Sequence, residues 1–567
     1  MQIIALLVLL LCVLPAFSTP LDELMGGESS LPKQPLQMAE LVPDHANSDL
    51  LAVRQGKVTL VMQKHTARLR PINSRKLDSS GREVLPDMVI NWAQSELGEI
   101  IPDKRHLILS DNPYWDYFVG VGMLWPAQQK NGVRRVSMPF ALVEKNENCV
   151  HNGVVVFDID AANKAQHFYY QISSETCAYF KADFWGIGAT IQTPEVELDS
   201  KQIIASYHHA KQQRLFTRPL RALTDKNPKL DVENFGLPKA VAATDMSVFG
   251  LVIDDVHYVS DCQTRAGLYP FCEQMVLPSY STAKTLFAGV AMLYLEKQYG
   301  DLFEQPINKW VAQCQGSNWE GVTFAHLLDM SSGNFDSAGY AVDEASKQKL
   351  AFFTAKSNQQ RLDFACNHYS RKKPPGSTFV YHTSETYLLG AGLNAYIKEK
   401  LGKDADIFND VLHKQIFQPL GLSQITAVTR RTQDSTQQPY SGYGLFFSRD
   451  DLVRLIRFIG LQANASQQSS LLSSVHLQAG LQQNPENRGL TTDYAHIRYQ
   501  HSFWAKKFDK RSGCKIPSWV PFMSGFGGIT LALLAHGNSY YYVSDSHQYD
   551  WSEAVPELNK LNLICDN

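Results

Sequence analysis

Two residues three apart, Ser281 and Lys284, stand where the polar run Ser279-Tyr280-Ser281-Thr282 passes into an apolar stretch that closes at Gly300. On a helix such a pair shares one face, so a hydroxyl and an amine come within reach of each other. The chemistry this permits is covalent. A serine hydroxyl is a poor nucleophile until a base takes its proton, and a lysine held neutral by burial can be that base. At a helix start the hydroxyl would also face first-turn N–H groups, which favour developing negative charge. A serine and a lysine at this spacing also arise as an N-cap followed by a surface charge, so the pair needs support from the rest of the chain.

The elements that must position the pair can be read from hydrophobic pattern. Leu286, Phe287, Val290, Ala291, Met292, Leu293 and Leu295 leave almost no polar side, which predicts a central, buried helix. Met246 to Val259 alternates as a strand, hairpin and strand just before it. From Lys57 to about Glu195 short β-branched and aromatic runs are separated by Asn, Asp, Gly and Lys clusters, a mostly antiparallel β domain with one helix expected near Asp87 to Leu97. Its aromatic cluster, Tyr114, Trp115, Tyr117, Phe118 and Trp125, could stack on sugars, although aromatics at strand spacing more commonly form core. The expected partition is a signal peptide at 1–18, a flexible leader at 19–56 rich in Pro, Ser, Asp and Glu, and a β-rich domain at 57–199. A helical connector at 200–238 and a second domain at 239–567 complete it. The fold class is α+β.

Length and charge bound the function. The chain has 567 residues, 44% hydrophobic and 19% charged, more than one core usually holds. A net charge of −3 with both signs well mixed leaves no footprint for nucleic acid. Ile3 to Phe17 is apolar and ends in the small-x-small pattern Ala16-Phe17-Ser18, which a signal peptidase reads, so the protein is expected to be secreted or periplasmic. No later stretch offers about eighteen consecutive apolar residues, and no membrane span is expected in the mature chain. Beyond Cys12 the cysteines are Cys149, Cys177, Cys262, Cys272, Cys314, Cys366, Cys514 and Cys565, an even set that suits disulfides. Pairing within halves makes Cys149 with Cys177 the one choice in the first half and leaves the other six open. Neither C-x-x-C nor H-x-x-x-H spacing supports a metal, and the adjacent His208 and His209 point to different faces.

Five further stretches follow the serine in order: TFAHLLDMSSGNFD (Thr323 to Asp336), PPGSTFVYHTSETYLLG (Pro374 to Gly390), QIFQPLGL (Gln415 to Leu422), SGYGLFFSRDDLVRLIRF (Ser441 to Phe458) and MSGFGGITLALLAHGNSYYYVSDS (Met523 to Ser546). Together with S-x-x-K they resemble the serine hydrolases of the β-lactamase and penicillin-binding-protein superfamily, in particular the class C β-lactamase, DD-peptidase and esterase branch, over about residues 246–565. The resemblance implies an antiparallel sheet, built from strands before the serine helix and near the C-terminus, with a helical lobe between.

It also implies roles. Ser281 would be the acylated nucleophile, Lys284 its amine partner and Tyr381 the phenol that relays the proton, with lysine and tyrosine both candidates for the base. The oxyanion would sit between the backbone N–H groups of Ser281 and Phe526, beside the triplet Met523-Ser524-Gly525. The chain departs from the family at two places. Met523 stands where Lys or His is usual and cannot hold a charge, and Thr383 replaces an amide after Tyr381-His382. His382, next to the tyrosine on an extended segment, points away from it and is read as structural. The expected activity is hydrolysis of an ester, amide or peptide-like substrate through an acyl-enzyme, with no metal or organic cofactor. The alternative is an inactive relative that binds cell-wall, glycan or protein partners.

Overall fold

The structure, a computed structural model, describes residues 20–27, 30–43, 52, 54–73, 81–127, 132–162, 164–191 and 197–565. The expected signal peptide lies outside these residues. The first half is built from nine strands, β1 (Arg54–Pro71), β2 (Met88–Gln94), β3 (Glu99–Pro102), β4 (Trp115–Val119), β5 (Gly122–Pro126), β6 (Arg134–Glu144), β7 (Val150–Ile159), β8 (Ala165–Thr176) and β9 (Ala182–Ile191). All pairings are antiparallel, and because β1 pairs β9 while β6 pairs both β5 and β7, the sheet closes on itself as a barrel. β4 and β5 follow one another along a single edge of β6.

Side-chain alternation explains the uninterrupted apolar run of β7. Val155, Phe157 and Ile159 point into the barrel, while Val154 and Val156 point out against the second half of the chain. Trp92, Trp115, Phe140, Phe168, Tyr170 and Phe184 fill the interior, so the barrel encloses a packed core. Trp115, Tyr117 and Phe118 are buried, which assigns them to packing. The helix expected near Asp87 to Leu97 is instead the strand β2. Met88, Ile90 and Trp92 alternate inward there, while Val89 is 44% exposed, the period of a strand rather than of a helix.

The segment expected to be a flexible leader is docked over its described residues. A short helix, α1 (Pro20–Gly26), buries Leu21, Leu24 and Met25, and Leu31, Leu36, Met38 and Leu41 follow into the same core. The backbone is tied down too, since Trp185 Nε1 donates to Pro32 O at 2.9 Å and Met38 N to Ala266 O at 2.8 Å. Leu21, Leu24 and Met25 have helical spacing within one short helix, and Met38 and Leu41 begin and end a single 3-10 turn, so no run here is long enough for its period to stand out in the sequence.

A helix α2 (Ser200–Gln212), capped by Asp199, leaves the barrel and is pinned to β3 by His208 and Lys211, both on Glu99. The second sheet also has nine strands. β10 (Phe216–Pro219) lies parallel to β12 (Val256–Val259), which pairs β11 (Met246–Ile253). β11 then joins Ser539–Ser544, followed outward by Ile529–Leu533, Ser518–Gly525, Phe503–Phe508, Ile497–Gln500 and Leu490–Thr491. Strands from both ends of the domain thus form one sheet, as expected. Between them lie helices, including Asn358–Asn367 and Thr383–Leu401. Four disulfides join Cys149–Cys177, Cys262–Cys272, Cys314–Cys366 and Cys514–Cys565.

Candidate active site

The serine does not open a regular α-helix. Tyr280–Thr282 forms a tight 3-10 turn, Lys284–Gly289 a wide π turn, and the α-helix α3 begins only at Val290 and runs to Tyr299. Short π segments concentrate at functional sites. Two contacts hold this one: Thr285 Oγ1 donates to Ser502 O at 2.7 Å, and Gly289 allows Ser502 so close that a Cβ there would sit 2.3 Å from its hydroxyl. Tyr280 has φ +40°, a left-handed backbone unusual for a bulky residue and worth on the order of 1–3 kcal/mol of strain. That strained residue immediately precedes Ser281.

Lys284 is 2% exposed, and its Nζ lies 3.1 Å from Ser281 Oγ, 2.9 Å from Thr383 Oγ1 and 3.4 Å from Gly442 O. Burial pulls its pKa from 10.5 down to about 7; Glu344 works against the drop and Lys349 adds to it. The Tyr381 ring stands 4.9 Å from the same Nζ, and its hydroxyl bonds Ser281. Burial raises the phenol well above its ordinary value, and Glu344 raises it further. The amine is therefore readily neutral near pH 7, whereas the phenol keeps its proton.

Thr383 opens the Thr383–Leu401 helix, and its hydroxyl is shared between Lys284 and Glu344. Glu344 also accepts from Thr383 N at 3.1 Å and pairs with Lys349 Nζ at 3.1 Å. Lys349 in turn donates to Ser384 Oγ at 2.9 Å. Although burial opposes it, Lys349, Lys284 and Thr383 hold the Glu344 carboxyl below its ordinary range. His382 turns away into this network. Its Nε2 is 3.0 Å from Asp343, its Nδ1 3.5 Å from Glu385, and its ring stacks on Tyr369. Burial works against the charged imidazole, yet Asp343 and Glu385 raise its pKa overall. No sequence motif marks Asp343, Glu344 or Lys349. They lie in the polar stretch Asp343-Glu344-Ala345-Ser346-Lys347-Gln348-Lys349, which reads as a solvated loop, whereas the fold buries Asp343 and Lys349 and leaves the Glu344 side chain 15% exposed.

The strand Ser518–Gly525 runs beside the serine turn. A Cβ on Gly525 would lie 3.0 Å from Ser279 O, so glycine permits this approach. Phe526 is 42% exposed, its ring 5.6 Å from Tyr280. Gly527 and Gly528 follow with φ +91° and +105°. Ser524 is half-buried, and Met523, 1% exposed, belongs to the core on the side of the sheet that holds Tyr280 and Ala283. Tyr340, Tyr381 and Trp504 stand together as an aromatic wall, with Tyr381 stacked on Trp504 at 5.9 Å. All eight residues singled out from the sequence thus lie on three neighbouring segments. Among the described residues, the one group with metal-like spacing is Cys149, His151 and Cys177, whose two sulfurs are joined in a disulfide. A cavity of about 260 Å³ lies elsewhere, between α2, the outer barrel wall and residues 421–425.

A comparison with curated proteins finds no match. Among solved structures the chain is similar to a protein assigned as a 6-aminohexanoate-dimer hydrolase from Bacillus anthracis, with 15% identity, 57% of this chain and 80% of the other covered, and a TM-score of 0.44. A penicillin-binding-protein homolog from Caulobacter crescentus shares 16% identity over 58% of this chain and 96% of its own, with a TM-score of 0.42. A protein assigned as a β-lactamase from Bacteroides dorei shares 14% over 59% and 98%, also with a TM-score of 0.42. The beta-lactamase family model matches residues 250–553, more than half the chain, and spans the serine turn, Thr383 and the glycine-rich strand; the protein belongs to the beta-lactamase family.

Proposed function

We propose that this protein is an exported serine hydrolase that acts through an acyl-enzyme on an ester, amide or peptide-like substrate. The observation that carries the reading is the 3.1 Å approach of a buried lysine, lowered to about 7, to the Ser281 hydroxyl. Neutral Lys284 takes the Ser281 proton as Oγ attacks the substrate carbonyl. The oxyanion is received by the backbone N–H groups of Ser281 and Phe526. When the tetrahedral intermediate collapses, the leaving group departs with a proton drawn from the Lys284 ammonium through the Tyr381 hydroxyl. Water then attacks the acyl carbonyl, gives its proton to Lys284, and Ser281 Oγ leaves protonated. The electrostatics favour Lys284 as base and Tyr381 as relay, since burial disfavours both an ammonium and a phenolate.

With methionine at 523 no cation is supplied there for a substrate carboxylate, so neutral esters or amides are the favoured substrates. Four disulfides fit an oxidising compartment, secreted or periplasmic. A second reading, a relative that binds cell-wall, glycan or protein partners without turnover, draws on Met523 and on the Thr383 hydroxyl already engaged by Lys284 and Glu344. A fluorophosphonate probe separates the two. The expected result is a single adduct on the peptide bearing Ser281, absent from a folded Ser281→Ala variant. An unlabelled wild type, or labelling that survives Ser281→Ala, refutes the hydrolase reading.

A further inference from the structure

The residue that holds the serine turn in its strained shape comes from the barrel, outside residues 250–553. Asn148 lies in the loop between β6 and β7 and is fully buried. Its Oδ1 accepts from Tyr280 N at 2.7 Å, Ser279 Oγ at 3.1 Å and Gly444 N at 3.1 Å, and its Nδ2 reaches Leu445 O at 3.4 Å. Ser279 and Leu445 are bonded to each other as well, N to O at 2.9 Å. One amide thus ties the segment before Ser281 to the segment containing Gly442, whose carbonyl meets Lys284.

A left-handed Tyr280 presents its N–H outside any regular helical ladder, and a buried N–H needs a partner. Asn148 is that partner. The neighbouring barrel loop, 177–181, is bonded to the segment that follows the last strand and meets the glycine-rich turn. Cys177 N and Lys181 Nζ both donate to Asp545, at 3.4 and 2.7 Å, and His547 N then donates to Gly527 O at 2.8 Å, next to Phe526. The Cys149–Cys177 disulfide joins the two loops.

Resting on the reading of Ser281 as nucleophile, we infer that the N-terminal barrel is a built-in part of the active site and that Asn148 is a positioning residue for Ser281. Without it the Tyr280 and Gly444 N–H groups lose their acceptor and the turn is free to relax, moving Oγ relative to Lys284 and the oxyanion donors. A displacement of about 1 Å costs up to about a hundredfold in rate.

The test compares two full-length variants. Asn152→Ala is the control, because Asn152 also makes two bonds from the barrel to the second domain, with Val276 at 3.0 and 2.9 Å, but touches no residue of the serine turn. Fluorophosphonate labelling rates, adduct mapping, melting temperatures and hydrogen exchange of the peptide containing Tyr280 are measured on each. In Asn148→Ala, labelling is expected to fall about ten- to a hundredfold, with the midpoint of its pH profile unmoved because burial, Glu344 and Lys349, which set the Lys284 pKa, do not depend on a bond to Asn148. Tyr280 exchange is expected to accelerate, and Asn148→Asp, which keeps the acceptor, to recover part of the rate. Asn152→Ala is expected to label within about twofold of wild type. Should Asn148→Ala fail to fold, Asn148→Ser, too short to span all three donors, carries the same expectations. Labelling of Asn148→Ala at the wild-type rate, or an equal fall in both variants, overturns the inference. If the wild type takes no label at Ser281, the nucleophile reading falls by itself; unchanged Tyr280 exchange in Asn148→Ala then overturns the clamp independently.

Discussion

Replacing Glu344 by Gln should move the pH profile of acylation to lower pH, and replacing Lys349 by Met should move it higher. Both directions follow from the charges around one amine. Lys284 lies at about 7 instead of 10.5 because it is buried; the Glu344 carboxylate holds its proton on, while the Lys349 ammonium pushes it off. The magnitude is large. At pH 7 about half of such lysines are neutral, against roughly one in three thousand for a lysine titrating at 10.5, and the difference corresponds to about 5 kcal/mol between the two protonation states. A base supplied at that level suits acylation that climbs with pH to a plateau above about 7. Glu344→Gln removes the stabilising carboxylate and leaves Lys349 unneutralised, and both effects lower Lys284. Lys349→Met removes the repulsion and leaves Glu344 free to hold the proton, and both effects raise it. The assay is the fluorophosphonate labelling rate, or the burst rate with an activated ester, from about pH 5 to 10 in wild type, His382→Asn, Glu344→Gln, Lys349→Met and Lys284→Met. The last should lose the limb and about a thousandfold in rate. A midpoint that stays put in the first two variants, a wild-type midpoint above 9, or a limb that vanishes in His382→Asn instead of Lys284→Met would refute the reasoning.

Gly525→Ala places a Cβ 3.0 Å from Ser279 O and 3.2 Å from Ile529 Cβ, so the strand must back away from the serine turn. Labelling should fall by about tenfold while the melting temperature changes little, and an unchanged rate would show that the strand edge is not part of the oxyanion site. The wild type should be acylated faster by a neutral ester than by a matched carboxylate-bearing one. Met523→Lys should narrow that gap by about tenfold at low salt, at a stability cost on the order of 2–4 kcal/mol for an amine at a site 1% exposed. A ratio that does not move would remove position 523 from substrate recognition.

Local pattern was enough for several conclusions. Ser281 and Lys284 share a face because three residues is about one turn in any tight helix, and the contact survived although the turn proved to be 3-10 and π in place of α. The strands of the first half were legible from β-branched and aromatic alternation, and Cys149 with Cys177 from the cysteine count taken together with pairing inside each half. The order of family stretches pointed to Tyr381, Thr383 and Phe526, which the fold sets beside the serine turn. What only the tertiary structure decided rests on contacts between residues far apart in the chain. Closure of the barrel depends on β1 meeting β9, and the docking of Leu21 to Leu41 on a core shared by barrel and second-half residues. The acidity of Lys284 depends on how deeply it is buried and on Glu344 and Lys349, folded inward from a stretch whose composition reads as solvent-facing. Asn148 reaches Tyr280 across 132 residues, and nothing in its neighbours distinguishes it from any loop asparagine. Periodicity encodes which face of an element is apolar, but not which distant element covers that face, and burial, pKa and turn geometry are set by the covering partner.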